Sequence, residues 1–164
     1  DIEMMLIENL GVENTSVQMG KPLAKEQNLY EKGPCLEYDF YTFSEGSVDV
    51  YTYTLPTFQL YDKEEFGNEY GGHDATNKEL RYGVSIDDMF VATPTISSHE
   101  YSQPWSENVL KNCSIKKTTM KVDGAGHHTL KILCGDAGVV VQKIVLDFGG
   151  LKRSYVGPRS TKVK

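Results

Sequence analysis

An all-β fold, an antiparallel sandwich, is what the 164 residues predict, and three observations carry the prediction. Short segments alternate apolar and polar residues at the two-residue period of a half-buried strand. Clusters of Gly, Pro, Asp and Ser separate these segments, as turns between strands require. No stretch carries a helical heptad, an internal repeat or a low-complexity linker. The length is that of a single domain, residues 1–164, large enough to bury a core without staples.

Taken in order, Asp1 to Leu10 is apolar at Ile2, Met4, Met5, Leu6 and Ile7, which fits either a strand or one helical turn. Gly11 breaks it, and Thr15 to Met19 forms a short strand with Val17 and Met19 inward. Lys21 to Lys32, punctuated by Pro22 and Gly33, reads as a loop. Pro34 to Phe43 then sets Leu36, Tyr38 and Phe40 against Glu37, Asp39 and Tyr41. Ser44-Glu45-Gly46-Ser47 supplies a turn, and the chain returns with Val48, Val50, Thr52 and Thr54 on one face, so a β-hairpin is predicted here. Pro56 ends it. The acidic, aromatic segment from Tyr61 to Asn77 is a long surface loop.

Leu80, Tyr82, Val84 and Ile86 alternate in the next strand, which Asp87-Asp88 turns. Phe90 to Gln103 has no clean period, and Ser106 is placed to cap one helical turn to Val109. Ile115 to Val122 and Thr129 to Cys134 read as a second strand pair joined by Asp123-Gly124-Ala125-Gly126, with Leu130, Ile132 and Cys134 inward. The last element runs from Gly138 to Pro158. Val139-Val140-Val141 and Ile144-Val145-Leu146, separated by Gln142-Lys143, predict a buried strand with a bulge or face switch at its middle. Gly149-Gly150 stops it, and Leu151 to Pro158 is expected to be a coil fixed against the body.

Bulk properties exclude several functions. A net charge of -6 and a pI near 5.2 argue against nucleic acid, which demands a basic surface. The terminal cations Lys152, Arg153, Arg159, Lys162 and Lys164 read as a solvated tail. No stretch has the apolar length of a membrane span, and no basic, apolar leader opens the sequence. Cys35, Cys113 and Cys134 cannot all pair and lack a Cys-x-x-Cys spacing, so no disulfide is predicted.

Several phrases are similar to those of one family. Pro34-Cys35-Leu36-Glu37-Tyr38-Asp39-Phe40, Leu55-Pro56-Thr57, Tyr82-Gly83-Val84-Ser85-Ile86-Asp87 and Gly126-His127-His128-Thr129-Leu130-Lys131-Ile132 resemble the C-terminal domain of glycoside hydrolase family 115. So does the closing run from Gly138 to Val145, with Gly149-Gly150-Leu151-Lys152, Ser154-Tyr155 and Gly157-Pro158. The resemblance implies a jelly-roll-like sandwich of carbohydrate-binding-module type, without catalytic chemistry, that follows the barrel of a secreted or periplasmic α-glucuronidase acting on xylan. Cys35, Arg153, Val156 and Arg159 depart from the family's Tyr, Pro, Leu and Pro, and Asp62 to Asn77 looks like an insertion. Ile7 to Gly11 matches the turn after the family's first strand, which leaves that strand missing or shortened.

Two function classes follow. The first is a module that binds glucuronoxylan or another uronic-acid-bearing polysaccharide. Trp105, with Tyr101 and His99, is the candidate stacking platform, against the alternative of a Trp plugging the core. Tyr70, with Phe66 and His73, is a second candidate, against incidental loop aromatics. Lys152, Arg153 or Arg159 would pair a uronate. The second class is a structural domain that docks on an upstream catalytic domain or forms a homodimer through the Gly149 to Pro158 coil. Hydrolysis is not expected, because Asp87-Asp88 and Glu64-Glu65 are adjacent pairs on a turn and a loop, not carboxylates flanking a cleft. No cofactor is expected, and His127-His128 lack further ligands at metal spacing. The resemblance leaves a structural calcium at Asp147 as an alternative to a hydrogen-bonded aspartate.

Overall fold

The computed structural model describes residues 3–21, 24–57, 79–96, 102–152 and 154–161. Strands β1 (Met4–Glu8), β2 (Thr15–Met19), β10 (Val140–Asp147), β4 (Gly46–Thr54) and β8 (Ser114–Val122) lie side by side in that order as the larger sheet. The smaller sheet is β3 (Cys35–Thr42), β9 (Gly126–Leu133) and β6 (Gly83–Ile86), and β5 (Leu80–Arg81) pairs with β7 (Thr95–Ile96) beside it. All pairings are antiparallel. The fold is the predicted all-β antiparallel sandwich.

The two inner faces form one core. Val48 and Val50 of β4, Met120 and Val122 of β8 and Val141 of β10 meet Leu130 and Ile132 of β9 and Val84 and Ile86 of β6. Tyr82, Met19, Leu80 and Ile96 fill the remaining space, each fully buried. Each of these strands shows one apolar face because one sheet surface is dry and the other wet. Tyr38 is the exception. It sits opposite Leu130 but stays partly exposed.

Both predicted hairpins are corrected. β3 and β4 do not pair: β3 runs beside β9 from Cys35↔Leu133 to Thr42↔Gly126, and β4 runs beside β8 from Gly46↔Val122 to Thr54↔Ser114. The connections Phe43–Glu45 and Asp123–Ala125 therefore cross between sheets as two arches at one end of the sandwich. The Thr42 hydroxyl donates to the Gly124 carbonyl at 2.9 Å and ties the arches together. A short polar link flanked by alternating strands fits an arch as well as a hairpin. Which one forms depends on whether each strand buries its apolar face better across the core or beside its neighbour.

Other elements follow the reading more closely. The first segment is a strand, β1, and it precedes the Gly11 turn. β10 carries the predicted bulge, a register shift between Val141 and Lys143, and lies between β2 and β4 at the sheet's centre. The strand predicted across Leu80 to Ile86 is split at Tyr82, with β5 pairing β7 and β6 pairing β9. The predicted turn of helix is longer and begins earlier: α1 spans Gln103–Lys111 and is capped by Ser102, whose hydroxyl accepts the Trp105 N–H. Pro104 reads as a breaker in isolation, but in a first turn its missing N–H costs nothing. The three cysteines are free.

The coil after β10 is pinned to the outer face of the larger sheet. Leu151 packs with Tyr53, Cys113, Val145 and Tyr51. Lys143, buried on that face, donates to Glu13 at 2.8 Å and to the Val156 carbonyl at 3.2 Å. Bonds from Lys143 and Ser160 hold the Glu13 carboxyl below its ordinary range. Gly157 has φ +72°, and a Cβ there would lie 2.9 Å from the Tyr53 hydroxyl, so glycine alone lets the coil come this close.

Candidate functional site

The residues singled out from sequence divide sharply. Tyr70, Phe66, His73, His99, Tyr101 and Arg153 lie outside the described residues. Trp105 stands in the first turn of α1, half-buried, with its indole nitrogen buried. Part of its ring is therefore committed to packing, and a smaller surface is left to stack on a ligand.

Beside it, α1 and the terminal coil line a groove of about 570 Å³, walled by Glu107, Asn108, Lys111, Cys113, Ile115, Ser154 and Tyr155. The Tyr155 hydroxyl donates to the Lys111 carbonyl near the helix end, which fixes the ring at the groove's lip. Lys111 lies 3.6 Å from Glu107 across one helical turn. The groove thus offers an aromatic ring, a carboxamide, a hydroxyl and an ammonium within one concave surface, the mixture that binds polyhydroxylated ligands. Lys152 and Arg159 are exposed on the same coil.

A second surface was not singled out from sequence. On the outer face of the smaller sheet, Tyr41 of β3 stands directly opposite His127 of β9, their rings 5.1 Å apart and edge to face. Phe43 also packs edge to face with Tyr41, ring centroids 5.1 Å apart. Next along the strands, Thr129 donates to Asp39 at 2.9 Å, and Lys131 bridges Glu37 at 3.3 Å and Asp88 at 2.7 Å. The signal was present in the alternation, which put Tyr41 on the polar face with Glu37 and Asp39. An aromatic ring on a wet face needs a reason.

Beneath this surface, His128 Nδ1 lies 2.7 Å from Asp87 and its Nε2 3.2 Å from the Gly124 carbonyl, joining the β6 turn to the β8–β9 arch. The bond to Asp87 raises the His128 pKa above its ordinary 6.5. Burial pushes the Asp87 carboxyl up, but His128 and the Thr129 N–H outweigh it and the net shift is downward. The raised histidine stabilises the fold fully below its unfolded value, and this contribution is lost as pH rises through the folded value. The depressed aspartate contributes above its unfolded value and is lost as pH falls through the folded one. The advantage of wild type over His128→Gln in urea midpoint is therefore expected to shrink as pH is raised from about 6 to about 9. A constant difference across that range would show that the pair does not carry it.

Asp147 ends β10 and accepts the Gly149 N–H at 2.8 Å, the geometry of an aspartate closing its own turn. Among the described residues there is no group of three or more His, Cys, Asp or Glu that could hold a metal ion. His127 and His128 are the second and third residues of β9. Among the described residues no helix is long and apolar enough to cross a membrane.

The model of the glycosyl hydrolase family 115 C-terminal domain matches residues 2–160. Among solved structures, a family 115 4-O-methyl-α-glucuronidase with specificity for decorated arabinogalactans is similar at 24% identity and a TM-score of 0.67, over 92% of this chain and 16% of that one. A family 35 carbohydrate-binding module from Clostridium thermocellum is similar at 10% identity and a TM-score of 0.51, over 87% and 86% of the two chains. An exo-β-1,3-galactanase from Phanerochaete chrysosporium is similar at 11% identity and a TM-score of 0.51, over 89% of this chain and 26% of that one. No curated protein matches. These likenesses to solved structures establish the sandwich fold, and the family match covers nearly the whole chain: it belongs to the glycosyl hydrolase family 115 C-terminal domain family.

Proposed function

We propose that the chain is a non-catalytic, carbohydrate-binding accessory module of a secreted or periplasmic plant-polysaccharide-degrading glycoside hydrolase, and that it reads glucuronoxylan or another uronic-acid-bearing glycan. The observation that carries this reading is the groove between α1 and the terminal coil, where Tyr155, Asn108, Ser154 and Lys111 converge. A pyranose ring stacks on Tyr155, its hydroxyls bond Asn108 and Ser154, and Lys111 pairs the uronate in place of Glu107. The solved α-glucuronidase similar to this chain acts on decorated arabinogalactans, which is consistent with a decorated glycan as ligand. Glu107 is the one carboxylate among the groove's walls, whereas glycoside hydrolysis uses two.

Calorimetric titration with glucuronoxylan and with glucuronic-acid-decorated arabinogalactan tests this. Binding is expected, weakened about tenfold in Tyr155→Ala. No heat at millimolar ligand for either glycan would overturn it.

The second reading, a domain that docks on an upstream catalytic domain or forms a homodimer, is favoured by one feature. Leu110 of α1 is 86% exposed, and Tyr155 and Val156 of the coil are exposed as well. Sedimentation of the chain alone, with and without Leu110→Lys, distinguishes this reading: self-association lost in the variant supports it, and a monomer in both excludes the homodimer.

A further inference from the structure

The outer face of the smaller sheet presents two aromatic rings that folding does not require. Phe43 is 91% exposed and Tyr41 52% exposed, although a phenylalanine in a three-residue arch could be replaced by any polar residue without loss to the core. Tyr41 makes edge-to-face contacts with both Phe43 and His127, so its ring has less conformational entropy to lose on stacking than an unsupported side chain. Along β3 the same face continues through Asp39 to Glu37, six residue steps from Phe43, or about 20 Å at strand spacing. That length suits an extended chain better than a single sugar.

The charges along this run decide what kind of chain. Asp39 is held by Thr129, Lys131 by Glu37 and Asp88, and Asp87 by His128 and Thr129. Carboxylates outnumber cations here, and the whole chain carries -6. A polyanion would meet net repulsion, which disfavours uronate side chains as well as nucleic acid. A neutral polyhydroxylated chain has no such penalty. Its hydroxyls donate to Asp39 and accept from Lys131, while its ring faces cover Tyr41 and Phe43.

We propose that this face is a second glycan platform, which binds an extended neutral polysaccharide chain by stacking on Tyr41 and Phe43 and bonding hydroxyls to Asp39 and Lys131. It rests on the reading of the chain as a carbohydrate-binding module but uses a different surface from the α1–coil groove.

The test is affinity electrophoresis and titration of wild type, Tyr41→Ala, Phe43→Ala and Tyr155→Ala against unsubstituted linear xylan, β-1,3-galactan and glucuronoxylan, with thermal melts confirming that each variant folds. Wild type is expected to bind at least one neutral chain, with affinity that changes little with salt. Tyr41→Ala and Phe43→Ala each weaken it about tenfold, and Tyr155→Ala leaves it unchanged. Binding confined to glucuronoxylan and lost only in Tyr155→Ala overturns the platform and leaves the module reading standing. No binding to any of the glycans overturns both. Neutral-chain binding that survives in Tyr41→Ala and Phe43→Ala also overturns the platform, as does self-association through this face that Phe43→Ala abolishes.

Discussion

Replacing Tyr82 by alanine is expected to destabilise the fold by about 4 kcal/mol, the largest effect of any single side chain described here. Among the described residues Tyr82 is the largest fully buried side chain, and it sits at the kink between β5 and β6 in the core. Its removal leaves a cavity that two packed sheets cannot close, because neither can shift without disturbing the other's register. At this chain length the loss corresponds to a fall in Tm of roughly 12 °C. Tyr82→Phe separates shape from polarity. Burial pushes the Tyr82 phenol up to about 12, opposed weakly by the Thr52 hydroxyl, and neither hydroxyl makes a hydrogen bond of good geometry. Removing the oxygen is therefore expected to change stability by less than about 1 kcal/mol. Thermal or urea melts of both variants check this. A phenylalanine variant as unstable as the alanine one would mean that the hydroxyl, not the ring, is what the core needs.

The second large effect is expected at Asp136. Its carboxylate is 1% exposed and takes three bonds from one residue: the Arg81 backbone N–H at 2.7 Å, Nε at 3.1 Å and a terminal guanidinium nitrogen at 2.8 Å. The Asp136 N–H returns a bond to the Arg81 carbonyl at 2.9 Å. This exchange locks the β5–β6 kink to the connection between β9 and β10. Asp136→Ala strands the Arg81 N–H and leaves the guanidinium with Glu26 at 3.0 Å. Arg81 is 36% exposed, so solvent recovers part of the cost, and about 3 kcal/mol is expected in place of the upper range for a buried pair. Asp136→Asn keeps the acceptor for the backbone N–H and is expected to lose less. Equal losses in the two variants would assign the whole effect to charge.

Gly135, next to this lock, shows why the sequence alone could not announce it. A Cβ at Gly135 would lie 2.4 Å from the Arg81 carbonyl oxygen, so the glycine is required by a strand more than fifty residues away. Read along the chain, Gly135-Asp136 is merely a turn before the last strand. The same holds for the site. Tyr41 and Phe43 look like strand and turn residues until β9 brings His127 opposite Tyr41. Trp105 looked like the natural platform because it is the sole Trp, and the tertiary structure spends part of it on packing.

What the sequence determined by itself is the local physics: the two-residue alternation of the longer strands β3, β4, β8 and β9, the bulge in β10, the coil held after Gly149-Gly150 and the burial of Leu130, Ile132 and Cys134. These depend on neighbours within a few residues, and period and composition record them. What only the tertiary structure decided is partnership. Whether Phe43–Glu45 and Asp123–Ala125 fold as hairpins or arches is settled by the burial of two apolar faces against each other, a long-range energy that no short stretch encodes. That choice put β3 beside β9, and with it Tyr41 and His127 on one exposed face.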